Sequence, residues 1–223
     1  MPRQTSLSFL LLALAACGAP PSQSGTQAPA PAAQAPLAGP GALSRFSSEQ
    51  LLVLPLQGLA SADSTGWRAV AGTERVVIPR VDSLFEAELT GRRLAAKWSF
   101  PSTLSRAARR NPTYLTDPYA IRATPAVLLQ LRKPDDALAE PVASQLRALA
   151  GVSDARYALI PLDLRFDRVE SGGGRSAIRL ALVDVRTARV TWWGEVQGEP
   201  RPAYAPDVLD DLIRRAADLI IPR

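Results

Sequence analysis

The 223-residue chain has no histidine and a single cysteine. Without imidazole there is no Ser-His-Asp or Cys-His nucleophile pair, no side chain poised near neutral pH by its ordinary pKa, and no His-containing zinc site. One cysteine can form neither an intramolecular disulfide nor a thiolate cluster for zinc or iron–sulfur. Lysine is nearly absent too: Lys97 and Lys133 stand alone, and neither follows a Ser at the spacing of a Ser-x-x-Lys enzyme. Ser171-Gly172-Gly173-Gly174 lies between two expected strands and opens no helix, so it reads as a hairpin loop, not a phosphate cradle. No cofactor and no metal are implied. The longest apolar run, Leu7 to Ala16, is half of the roughly 20 residues a membrane-spanning helix needs.

That short run has a meaning of its own. Met1-Pro2-Arg3, the apolar stretch and the small residues Ala15-Ala16 have the order of a secretory signal. Leu14-Ala15-Ala16-Cys17 resembles the lipobox of bacterial lipoproteins. The resemblance implies removal of residues 1–16, a thioether-linked diacylglycerol on Cys17 and acylation of the new amino group. Oxidising compartments rarely leave a cysteine free, which favours the same reading. Three acyl chains anchor a protein firmly, since one alone is marginal. Gly18, where an Asp would imply retention in the inner membrane, implies outer-membrane lipid as the anchor and the periplasmic face as the location.

From Gly18 to Leu43 the chain is Ala, Pro, Gln, Gly, Ser and Thr, with Leu37 the one large apolar residue before its end and no charge. Such a stretch buries too little apolar surface to fold and reads, with Cys17, as a tether over 17–43. As a coil it spans roughly 30 Å, and its prolines stiffen it. Residues 44–223 are then expected to form one periplasmic domain. The formal charge of +5 becomes +4 when Arg3 leaves with the signal. The basic residues are almost all arginine and are scattered among acids, unlike the clustered Lys/Arg with interleaved aromatics of a nucleic-acid binder. Arg106, Arg109 and Arg110 come nearest to a cluster. They read as a solvated helix face or as a contact for a partner, an anionic lipid or a glycan.

Leu51 to Leu56 is a short apolar run of buried-strand type. Residues 57–77 read mainly as loop, with room for a short strand at Arg75 to Ile78. Asp82 offers an N-cap to a helix from Ser83 to Thr90, closed by Gly91. Leu94 to Phe100 suggests a strand, Ser102 to Arg110 a helix, and the Pro-rich 111–136 an excursion with one strand at Ala126 to Leu131. Pro141, Val142, Leu146, Leu149 and Gly151 predict a helix with its cap. From Tyr157 to Val169 the pattern alternates, with Leu162, Leu164 and Phe166 expected on one side and Asp163, Arg165 and Asp167 on the other. Ile178, Leu180 and Leu182 continue it, and Val190 to Val196 returns, giving a three-strand antiparallel meander. Asp207 to Ile221 is an amphipathic helix with Asp210–Arg214 and Asp211–Arg215 at i,i+4. The fold class expected is α+β, an α/β sandwich with a mixed sheet and helices packed on it.

Leu52-Val53-Leu54-Pro55 and the turn Asp184, Arg186, Thr187, Ala188, followed by Trp192-Trp193-Gly194, resemble the group of bacterial envelope lipoproteins and periplasmic domains that includes the TolB N-terminal domain, the curli secretion lipoprotein CsgG and the penicillin-binding-protein activator LpoB. Ala188 stands where that group usually has Gly. The resemblance covers about half of the mature chain and implies a TolB-like domain, no enzymatic activity, and an envelope protein or a second copy as partner. Trp192 and Trp193, adjacent on a strand, point to opposite faces: one reads as core, the other as a contact residue or one covered by a helix. An outer-membrane lipoprotein acting as an interaction or assembly module is the function expected. Two alternatives stand beside it. A hydrolase working through Asp163, Asp167, Asp184 or Glu195 needs two carboxyls about 5 to 9.5 Å apart in a cleft. A secretion-pore subunit needs a long alternating stretch to line a barrel, and residues 57–136 offer none.

Overall fold

Leu51–Val53 (β1) sends Leu51 and Val53 into one apolar cluster and Leu52, with the following Leu54, into another. A strand buried on both sides belongs inside a sheet covered on both faces. The computed structural model describes residues 35–94, 96–121, 131 and 133–222. In it β1 sits between Trp98–Ser99 (β3) and Tyr157–Arg168 (β4), parallel to both. Gly174–Asp184 (β5) and Arg189–Gln197 (β6) continue the sheet from β4 as the antiparallel meander that alternation predicted. Leu59–Asp63 (β2) also runs parallel to β4, beyond the end of β1.

The α-helices among the described residues are Trp67–Ala71 (α1), Glu74–Gly91 (α2), Pro101–Arg110 (α3), Pro118–Ile121 (α4), Val142–Ser153 (α5) and Asp207–Asp218 (α6). One cluster joins α2, through Val81, Phe85 and Leu89, and α6, through Leu209, Leu212 and Ile213, to Leu159, Leu180 and Leu182 of the sheet. The other joins Leu104 of α3 and Val142, Leu146 and Leu149 of α5 to Ala158, Ile160, Ala181 and Val183. The result is an α+β fold in which the described residues form a mixed six-stranded sheet between helical layers.

Several expectations shift. The helix expected from Ser83 begins at Glu74, so Arg75 to Ile78 is helical, and 57–77 holds β2 and α1. Val77, Ile78, Val81 and Phe85 form one buried stripe that carries the helix through Pro79. Asp82 is therefore no cap: it is buried in mid-helix, where its Oδ1 accepts the Leu56 N–H at 2.8 Å and clamps the chain leaving β1. Helix α5 runs past Gly151 to Ser153 and closes on Asp154 at φ +50°. Asp210 reaches Arg80 at 4.0 Å, and Asp211 takes both Arg214 and Arg215. Ala188 adopts φ +53°, so the turn keeps its left-handed residue without glycine, while Asp184 Oδ1 accepts the Arg186 N–H at 2.9 Å. The strand expected at 126–131 lies, but for Leu131, outside the described residues.

The stretch read as tether up to Leu43 joins the fold from Ala35 onward. Leu43 is buried, and its N–H donates to the Leu219 carbonyl at 2.7 Å. The reason is that Leu43 and Phe46 are apolar enough to seat on the α6 cluster, and they draw the preceding residues along the sheet edge.

Candidate functional site

Pro161 has no N–H to give the β4–β5 ladder, and the register slips between Pro161 and Asp163. The slip reverses which side chains face which layer. Leu162 stays with Ala158 and Ile160 in the α3/α5 cluster, whereas Leu164 and Phe166 turn to the α2/α6 cluster. Leu162 thus points opposite to Leu164 and Phe166, contrary to the simple alternation. It also delivers Asp163, Arg165 and Asp167 together to the α3/α5 side of the sheet.

On β5 and β6 the same side carries Arg175, Arg179, Glu195 and Gln197. Arg179 stands between Asp163 on one neighbouring strand and Glu195 on the other. Two of its guanidinium nitrogens bind the Asp163 carboxylate, with Nε to Oδ1 at 2.9 Å. Arg165 reaches Glu195 at 2.6 Å and Asp167 at 2.7 Å, and Gln197 bridges Glu195 and Arg175. Asp163 is 4% exposed and Glu195 3%, so these are inward-facing pairs, not a solvated fringe. The hydrogen bond to Asp163 holds the Arg179 guanidinium above its ordinary pKa although burial opposes it. Burial also works against Arg165, and its hydrogen bonds to Asp167 and Glu195 overcome that and raise it.

Chemically, these carboxylates accept from guanidinium or amide donors, whereas a general acid or base needs an oxygen within reach of substrate. Asp184 likewise pairs with Arg156 at 3.1 Å and holds its turn. No group of three or more Cys, Asp or Glu side chains is arranged to hold a metal ion among the described residues. What the half-face offers is a set of fixed ion pairs, Asp163 and Glu195 buried and Arg165 and Asp167 reaching solvent at its margin.

Beside it runs the outer edge of β6, which is occupied at both ends by the chain itself. At one end Leu138 N–H donates to Ala188 O, and Asp136 and Asp135 exchange hydrogen bonds with Val190, all at 2.9 Å. At the other, residues 35–38 form a strap parallel to the strand: Ala38 N–H donates to Glu195 O at 2.8 Å, and Glu195 N–H to Pro36 O at 2.9 Å. Two such bonds are worth together about 1–3 kcal/mol net. Leu37, between them, is 68% exposed.

Of the residues singled out by sequence, Trp193 is core, 6% exposed, with no acceptor for its indole N–H among the described residues. Trp192 is half-buried, its ring lying over Gly194 beside Ala38. Arg106 and Arg109 line a cleft of about 500 Å³ with Ser102, Ser105, Asp117 and Tyr119. Burial and then the nearby Asp82, to which it is hydrogen-bonded, push the Tyr119 hydroxyl far up. Arg110 is exposed on the same helix. Neither tryptophan lines the cleft that Arg106 and Arg109 share, and Cys17 lies outside the described residues. Of the paired half-face, the sequence showed the alternating Asp163, Arg165 and Asp167 with Arg179 as a cross-strand neighbour; Arg175 and Gln197 carried no signal of their own. The strap had no such signal.

No protein-family model matches the chain, and no curated protein matches it. Among solved structures, it is similar to the LpoB C-terminal domain of Salmonella enterica, at 15% identity over 71% of this chain and 83% of that one, with a TM-score of 0.34. The dodecameric PelC of Paraburkholderia phytofirmans is 13% identical over 81% and 92%, with a TM-score of 0.36. A lipoprotein of Neisseria meningitidis is 15% identical over 75% and 93%, with a TM-score of 0.34. Likenesses this distant leave function to be argued from the chain's own residues. No helix among the described residues is long and apolar enough to cross a membrane.

Proposed function

We propose that this chain is a lipid-anchored module of the outer membrane's periplasmic face that works by binding another envelope protein and catalyses no reaction. The lipobox at Cys17 and the uncharged stretch after it support the anchor and the reach. The observation that carries the binding role is the half-face of the sheet. Asp163, Asp167 and Glu195 are each held by an arginine, and the whole lies next to a strand edge fastened by two backbone hydrogen bonds. A fixed array of donors and acceptors of both signs suits recognition, because each group is already oriented and a mismatched partner meets like charge. The lipoprotein-group resemblance carried by Leu52-Val53-Leu54-Pro55 and the turn at Asp184 points the same way.

Two measurements test this. Whole cells fed labelled palmitate incorporate it into the chain, and Cys17→Ala abolishes both the label and outer-membrane fractionation. Photocrosslinkers placed at Arg168 and Trp192 trap an envelope protein of defined mass. A Cys17→Ala chain that stays in the membrane removes the anchor. Crosslinking that yields only uncrosslinked monomer from both positions removes the binding role.

A further inference from the structure

We infer that the Glu195 stretch of the β6 edge receives an extended segment of the partner, which displaces the strap and carries an acidic side chain toward the polar half-face. This deepens the binding reading above and rests on it.

The strap already marks the track. It lies parallel to β6 and uses both main-chain groups of Glu195, as a strand added to a sheet edge does. Yet it fills little of the space along that track. On one side, beside Leu37, a cavity of about 280 Å³ is lined by Arg165, Arg168, Arg175, Asp167 and Glu195. On the other, beside Ala38, one of about 290 Å³ opens against Val196, Arg214 and Asp218. Successive side chains of a strand point to opposite faces, so one inserted strand addresses both cavities at once. The strap offers them only the methyls of Ala35 and Ala38 and a Leu37 side chain that stays mostly in water.

The occupant's charge is set by the first cavity. Three arginines line it against two carboxylates. Arg165 holds both carboxylates. Arg175 bonds the Gln197 amide oxygen, and Arg168 bonds the Ser64 carbonyl, so each meets a neutral acceptor. A carboxylate arriving at the position of Leu37 pairs with them.

The strap is also held more lightly than the residues C-terminal to it. Leu43 and Phe46 are large apolar side chains buried in the α6 cluster, whereas the strap has two hydrogen bonds, the single methyl of Ala35 in the α3/α5 cluster and the partly buried Ala38. The strap can therefore leave without unseating the domain.

The test uses the full chain in detergent. By hydrogen exchange, the Ala38 and Glu195 amides exchange about a hundredfold faster than those of Leu180 to Val183, because they open locally. Equal protection of the two sets overturns the inference and requires no variant. A fluorescent peptide of residues 34–40 carrying Leu37→Glu binds the Ala38→Pro chain about tenfold tighter than the wild type, since that variant lacks the Ala38 N–H and frees the edge. A chain with residues 35–38 replaced by Gly-Ser-Gly-Ser gives the same result. Adding Arg168→Ala and Arg175→Ala weakens this peptide and leaves the Leu37 peptide unchanged. Equal binding to strapped and unstrapped chains overturns the inference, as does indifference to the two arginines. So does an unstrapped chain that forms dimers the peptide cannot disperse, which would make a second copy the occupant. None of these readouts depends on lipidation or on crosslinking in cells, so the two readings fail separately.

Discussion

The two faces of the β4–β6 meander are built from the same three strands and solve burial in opposite ways. Toward α2 and α6 the sheet presents Leu164, Phe166, Ile178, Leu180 and Leu182, all apolar and all covered. Toward α3 and α5 it is apolar only as far as the slip at Pro161, and beyond that it is an array of charges. The first face stabilises through area removed from water, which is indifferent to direction. The second depends on matched pairs, where removing one partner costs more than the pair contributes. Cohesion is thus concentrated on one face, and the other holds its groups by pairing.

The largest effect expected is on the apolar face. Leu180→Ala, at a fully buried position, costs about 3–4 kcal/mol in urea unfolding. On the charged face Arg179→Ala costs about 3 kcal/mol by leaving Asp163 buried without its cation, while Asp163→Leu combined with Arg179→Leu costs far less. If the double replacement is as damaging as the single one, the pair is a source of cohesion after all and the contrast between the faces collapses.

Smaller effects come from the margins of the charged face. Asp63, at the end of β2, accepts the N–H groups of Thr65, Gly66 and Arg68. Burial tends to raise its pKa, but the Thr65 hydroxyl and these N–H groups together hold it below the ordinary 3.8. A depressed carboxylate stabilises the fold above its unfolded pKa, and that contribution is lost as pH falls below about 4 through the folded value. Asp63→Asn removes this acid-side slope, and at neutral pH costs less than about 1 kcal/mol, because its amide oxygen still accepts the N–H groups while the charge that strengthened them is gone. Urea midpoints from pH 7 to pH 2.5 check both. Smallest of all, Ala188→Gly raises stability by about 0.5 kcal/mol by relieving a left-handed residue, less the buried methyl it gives up. A loss there would mean that the methyl in the α3/α5 layer outweighs the backbone.

Much of the framework was legible because its signals are local. The stripe of Leu209, Leu212, Ile213 and Ala216 predicts α6, and the alternation of Ile178, Leu180 and Leu182 predicts β5 as a strand of the meander. The pairing of Asp163 with Arg179 could be anticipated from opposed charges on neighbouring strands. The start of α2 could not, because Pro79 and Asp82 carry the marks of a break and a cap. Only the burial of Val77 and Ile78 against the sheet outweighs them. The reversal after Pro161 was hidden for a related reason: a single extra residue leaves the alternation looking continuous while it exchanges the faces.

By itself the sequence determined that the chain lacks imidazole and thiolate-cluster chemistry, and it marked the amphipathic elements of an α+β fold, since composition and periodicity act over a few residues. Tertiary structure alone decided that Ala35 to Ala38 would lie on β6 and that Asp163, Arg165, Arg179 and Glu195 would share one face. Those placements rest on hydrogen bonds and ion pairs between segments far apart in the chain, joined only when apolar burial brings them together.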